Sequence, residues 1–89
     1  MNDHVLRDAD EARELLRHPK LAEAFTALEQ GYVEAFVACK AGDDVPRFRL
    51  AEAVKVLRGV RRHLEEYVEA GDVSARAAQE LGRGKRGIF

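Results

Sequence analysis

Two stretches of this chain share one apolar rhythm. In the first, Leu21, Phe25, Leu28, Tyr32, Ala35 and Cys39 recur at alternating steps of 4 and 3 residues; in the second, Leu50, Ala53, Leu57, Val60, Leu64 and Tyr67 recur at steps of 3 and 4. That alternation keeps apolar groups on one stripe of an α-helix and is the spacing of a coiled-coil seam. It does not suit a β-strand, whose side chains alternate with a period of two. Between the stretches lie Gly42, Asp43, Asp44 and Pro46, residue types that favour turns. The pattern predicts an all-α fold centred on a long antiparallel helical hairpin, with helices from about Pro19 to Ala41 and from about Pro46 to Ala70. Matching the ends of the seams sets Leu21 against Tyr67, Phe25 against Leu64, Leu28 against Val60, Tyr32 against Leu57, Ala35 against Ala53 and Cys39 against Leu50.

A short helix is expected on either side. Asp8 followed by Glu11 has the spacing of a capping box, and Ala12, Leu15 and Leu16 continue an apolar stripe that stops before Pro19. Pro19 can occupy the first turn of the next helix, where its missing N–H costs nothing. Gly42 and Gly71 read as C-terminal caps. After Gly71, Asp72 and Val73 lead to Ser74 as the N-cap of a short fourth helix ending at Gly82. Residues 1–82 therefore read as a single helical domain, and residues 83–89 as a flexible basic tail.

Composition narrows the function classes. Hydrophobic content of 46% with 35% charged residues fits a folded helical chain, because disordered segments have too few apolar groups to offset ordering entropy. A domain of this size buries only about 60% of the surface its unfolded chain exposes, so its stability is modest or shared with a partner. A net charge of -1 supplies no overall field toward nucleic acid or an anionic membrane. Locally, the start is acidic, with Asp3, Asp8, Asp10, Glu11 and Glu14 against Arg7, Arg13 and Arg17; the end is basic. The lone Cys39 excludes an intrachain disulfide, and the chain has neither a membrane-length apolar run nor a secretory signal. The expectation is a soluble protein of the cell interior, with no membrane partner and no cofactor.

Catalytic motifs are scarce. Ser74 has a capping role, Cys39 lies on the seam, and His63 with Glu66 makes only one i, i+3 pair for a metal. Gly82, Arg83, Gly84, Lys85, Arg86 and Gly87 look superficially like a phosphate loop, but no strand precedes them and no Ser or Thr follows the Lys. No catalytic or metal residue is assigned, and the chain is not expected to be an enzyme.

What the seams leave over is more informative. Val33 and Val37 project away from the seam and need cover, either from the first or fourth helix or from a second subunit or another protein. Ala24, Ala27, Gly31, Ala35 and Ala38 form a small-residue stripe on the second helix, and Gly59 interrupts the third where close approach of another helix would explain it. Ile88 and Phe89 could act as an apolar hook. Val33, Val37, Ala27, Gly31, Gly59, Ile88 and Phe89 are thus the candidate oligomer or partner interface. Lys55, Arg58 and Arg62 line an outer strip and, with Arg83, Lys85 and Arg86, are the candidate nucleic-acid contacts. Arg61 with Glu65 and Arg62 with Glu66 have the spacing of ordinary surface ion pairs.

From Ala12 the chain reads A-R-E-L-L-R-H-P-K-L-A-E-A-F-T-A-L-E, and from Leu50 it reads L-A-E-A-V-K-V-L-R-G-V-R-R-H-L-E-E-Y-V-E-A-G. A leucine pair, a proline and an A-F-x-x-L-E run ahead of a second long helix ending in H-L-E resemble small helical proteins encoded in the head and packaging gene modules of tailed bacteriophages. The resemblance implies a self-associating, particle-assembly or virion-associated component in the host cytoplasm, whose partners are further copies or a phage structural protein. It carries no catalytic residues. A nucleic-acid-associated factor and a phage-encoded inhibitor of a host enzyme are the alternatives.

Overall fold

The structure is a computed structural model that describes residues 3–87, with side chains described through Gly82. It is all-α among those residues. Three helices follow one another: α1 (Asp3–Arg17), α2 (Pro19–Ala38) and α3 (Asp44–Gly87).

The boundary between α1 and α2 is set by proline. His18, which precedes Pro19, takes an extended conformation with φ -68° and ψ 120°, as the proline ring disfavours helical geometry in the residue before it. The His18 carbonyl still accepts the first bond of α2, from the Ala22 N–H at 3.0 Å. One residue thus ends one helix and starts the next.

At its other end α2 stops earlier than the apolar rhythm predicts. Cys39 is already extended, and Lys40 to Asp43 form a turn closed by the Asp43 N–H on the Lys40 carbonyl at 3.1 Å. Gly42 sits third in that turn with φ +97°, the left-handed position that a type II turn requires and that favours glycine. Gly42 therefore shapes a turn instead of capping a helix. The Asp43 carboxylate accepts from the Lys40 N–H at 3.0 Å, and Arg47 donates to the Lys40 carbonyl at 2.9 Å while its guanidinium lies 5.9 Å from the Phe36 ring centre. Arg47 ties the loop to the ends of both helices.

α3 runs without interruption across Gly71 and Gly82. The expected cap at Gly71, the restart at Ser74 and the separate fourth helix are not found. The reason lies across the chain, at Ala9. Gly71 and Ala9 are both buried and adjoin so closely that a Cβ on Gly71 would collide with the Ala9 Cβ. A mid-helix glycine costs about 1 kcal/mol relative to alanine, and here the loss is offset by the close approach of α1. Ser74 lies half-buried inside the helix. The backbone stays helical from Arg83 through Gly87, where a tail was expected, and Ile88 and Phe89 lie outside the described residues.

α1 is also longer than its expected cap allows. Asp8 and Glu11 are inside the helix, and the acidic residue of the first turn is Asp3. The extra turn brings Val5 and Asp8 alongside Ala9 and Ala12 on the inward face.

α3 is the spine. Its 44 residues span about 66 Å at 1.5 Å per residue, close to the 72 Å long dimension of the molecule. α2 lies along its first half in opposite chain order: Phe36 meets Arg47, Glu29 meets Arg58, and Phe25 meets Arg61. α1 lies along the next portion, where Arg13 pairs with Asp72 at 3.0 Å and Ala9 adjoins Gly71. Tyr67 therefore sits beside Asp8, Glu11, Ala12 and Leu15 of α1, not beside Leu21. The inward stripe of α3 is rotated from the expected seam. Val54 and Val68 are half-buried, while Val60 and Tyr67 are exposed. Leu50, Val54, Leu57, Leu64, Val68 and Gly71 make the contact line, and Arg61 fills its missing step by laying its guanidinium 5.2 Å from the Phe25 ring centre. A cation over an aromatic face with its aliphatic stem on apolar surface is a stable way to seat arginine in such a line.

Candidate association surface

Very little of this molecule is out of water. Among the described residues, Ala9 and Ala12, at 1% and 2% exposure, are the buried hydrophobic residues, and no large side chain is fully buried. Burying a methyl-sized group is worth about 0.8 kcal/mol and a leucine-sized side chain about 1.5–3 kcal/mol, so a core of two alanines supplies little. The accessible surface is 7171 Å², whereas a compact monomer of 10.0 kDa exposes about 5,200 Å². The radius of gyration is 20.0 Å against about 12 Å for a compact domain of this length. The helices form a thin plate with two long, exposed faces.

The faces differ in chemistry. Successive helical residues advance by about 100°, so each side chain's flank follows from its distance along the helix. On α2, taking Phe25 as the line facing α3, Leu28, Ala35 and Gly31 lie about 60°, 80° and 120° to one side of it. On α3, taking the mean direction of Leu50, Val54, Leu57 and Arg61 as the line facing α2, Val60, Tyr67 and Val56 lie about 90°, 110° and 130° from it. Because the two contact in opposite chain order, these flanks fall on the same side of the plate. Leu15 of α1 joins them, sharing a surface depression with Tyr67. Leu15, Leu28, Val56, Val60 and Tyr67 are all exposed. No charged residue occupies the α2 part of this flank between Leu21 and Ala38, and between Ala53 and Tyr67 on α3 the one polar residue there is His63. His63 packs edge-on to the Tyr67 ring at 5.0 Å.

The opposite face is polar. Arg58 donates through Nε to Glu29 at 2.7 Å, Arg62 reaches Glu69 at 3.1 Å and Glu66 at 3.8 Å, and Lys55 lies 3.4 Å from Glu52. The Arg58 hydrogen bond holds the Glu29 carboxyl below its ordinary value of 4.5; partial desolvation works against that shift, and the charges of Arg58 and Arg61 add to it. Each basic side chain of the expected phosphate strip is thus matched by an acid of the same chain. Arg61 takes neither Glu65 nor a phosphate-facing position, because it stacks over Phe25. The side chains of Arg83, Lys85 and Arg86 lie outside the described set.

The expected interface residues do not form one surface. Gly31 lies on the apolar flank and Ala27 at its edge, whereas Val33 and Val37 lie on the polar side, the latter 76% exposed. Neither valine is covered by a flanking helix. Gly59 lies on the outer edge of α3, where an added Cβ would meet nothing within 4 Å, so no helix of the same chain approaches it; the close intrachain approach is at Gly71. Sequence reasoning missed Val56 and placed Leu28, Val60 and Tyr67 in the seam. A second stripe at i, i+4 and i+11, Val56, Val60 and Tyr67, was the available signal.

Among the described residues, no group of three or more His, Cys, Asp or Glu side chains is placed to hold a metal ion. No described helix is long and apolar enough to cross a membrane. Comparison with protein-family models, curated proteins and solved structures finds no match to this chain.

Proposed function

We propose that this protein is a non-enzymatic, self-associating helical component that acts through protein–protein contacts, with α2 and the first half of α3 serving as an antiparallel helical hairpin. The observation that carries the reading is the surface excess of about 1,900 Å² per chain over a compact monomer, with Ala9, Ala12 and Gly71 the only buried residues among those described. Standard interfaces bury about 800 Å² on each partner, and obligate ones more. Leu15, Leu28, Val56, Val60 and Tyr67 are among its exposed large hydrophobic residues, and covering them stabilises the chain. Assembly into a bacteriophage particle is the more specific form of the proposal, and it rests on the sequence resemblance alone. Nucleic-acid binding is less favoured, because the internal ion pairs of Lys55, Arg58 and Arg62 compete with phosphate.

Light scattering coupled to size exclusion, over a hundredfold range of concentration, tests the reading. The expected result is a mass of 20 kDa or more, twice the 10.0 kDa of one chain. A cooperatively folded 10.0 kDa species at every concentration refutes it.

A further inference from the structure

We infer that α2 is a strap that lifts from α3 and uncoils while α1 stays docked, so that one chain has a closed and an open arrangement. The lift depends on contacts within a single chain and holds whether or not copies associate. The two helices packed on α3 are held very differently. Every buried residue among those described lies where α1 meets α3: Ala9 adjoins Gly71, and Ala12 lies beside Leu64 and Tyr67. α2 has no buried residue. Leu21, Phe25, Glu29 and Tyr32 are half-buried, and the rest of α2 is exposed. What ties α2 to α3 is a row of arginines near the surface: Arg47 at 5.9 Å from the Phe36 ring centre, Arg58 on Glu29 at 2.7 Å, and Arg61 at 5.2 Å from the Phe25 ring centre. Ion pairs in such exposed positions contribute little.

The ends of α2 allow it to leave. His18 before Pro19 is extended, and the turn at Gly42 closes the other side, so a break in the helical backbone lies at each end. His18 makes no side-chain capping bond, no acid lies in the first turn of α2 and no base in its last, so no charge there offsets the helix macrodipole. Gly31 weakens the middle. Most helical stability in a protein comes from packing an apolar face, so α2 loses its helix when it leaves α3. α3 keeps its own, because its 44 residues run on unbroken through the α1 contact. Where α1 and α2 meet, around Leu16 and Leu21, the Pro19 break lies between them. Lifting α2 therefore uncovers Leu50, Val54 and Leu57 and leaves Leu64, Val68 and Gly71 beneath α1. Local opening of this kind falls on the segment with the fewest buried groups.

Native-state hydrogen exchange, read amide by amide by NMR on the full chain at the lowest workable concentration, is the test. In wild type, protection factors from Leu28 to Tyr32 should be at least tenfold below those from Ala9 to Arg13 in α1 and from Val68 to Asp72 in α3. Gly71→Ala supplies the second arm. It loosens the α1 contact, which the closed and open forms share, so it destabilises both alike. Protection from Ala9 to Arg13 should fall about fivefold, the equivalent of roughly 1 kcal/mol, with protection from Leu28 to Tyr32 within twofold of wild type. Equal protection of α1 and α2 in wild type overturns the strap, as does lower protection in α1 than in α2. A Gly71→Ala variant in which α2 loses as much protection as α1 also overturns it, because the three helices then open as one unit. So does one in which α1 loses none. If Gly71→Ala does not fold, the wild-type profile decides alone.

Discussion

Gly71→Ala isolates the contact that joins α1 to the spine. The added methyl points at Ala9, whose Cβ cannot swing aside because it is fixed to the α1 backbone. α1 must move away as a unit, loosening the site around Ala9 and Ala12, the buried hydrophobic residues among those described. Overpacking of a tight contact costs about 1–3 kcal/mol. Against this, alanine favours the helix over glycine by about 1 kcal/mol. The net expectation is a loss of about 1 kcal/mol. Gly59→Ala supplies the internal control, because it makes the same exchange inside the same helix with open space around the new methyl. That variant should gain up to about 1 kcal/mol, so the two should differ by about 2 kcal/mol. For a domain of this length the gap corresponds to roughly 10 °C in midpoint. Thermal and urea unfolding followed by circular dichroism, at one fixed protein concentration so that association enters equally, measures it. If Gly71→Ala stabilises as much as Gly59→Ala, α1 does not pack on α3 at this point and the reasoning fails.

Two further outcomes follow from the loop and the polar face. Gly42→Ala places a Cβ at φ +97°, and should lower stability by about 1–2 kcal/mol, with no change in helix content at low temperature; an unaffected urea midpoint would show that the turn does not hold this conformation. Glu29 titrates below its ordinary value because Arg58 binds its charged form. Its stabilising contribution is therefore complete above pH 4.5 and disappears as pH falls through the lower folded value. In Glu29→Gln that component is absent, so the stability difference between wild type and variant should shrink between pH 6 and pH 3, and a difference independent of pH would exclude the Arg58 pairing. The mass measurement described above completes the set.

The positions of helix and turn were readable along the chain. Step alternation gave two long apolar stripes, Pro19 gave a break, and Gly42 with the neighbouring aspartates gave a turn; these are local effects of backbone geometry and side-chain shape. The same local rules misread Gly71 and Ser74. A glycine followed by Asp-Val-Ser looks like a helix end, and what overrides it is the buried contact with Ala9, sixty-two positions earlier. Arg61 was misread for a related reason. It breaks an apolar period in sequence, yet its stem and guanidinium complete the inward line against Phe25.

The sequence by itself determined that the chain is helical, that a turn separates two helices near Gly42 and that apolar residues exceed what one helix pair can cover. Tertiary structure alone decided which of them are left outside. Val54 and Val68 turn inward, Leu28, Val60 and Tyr67 lie on the open flank, and Lys55, Arg58 and Arg62 are matched by acids. A three-four period fixes a stripe only to within its own width, since adjacent stripes on a helix are nearly equally apolar here. The choice between them depends on what the facing helices offer, and α1 offered Ala9 to a glycine that only close packing could use.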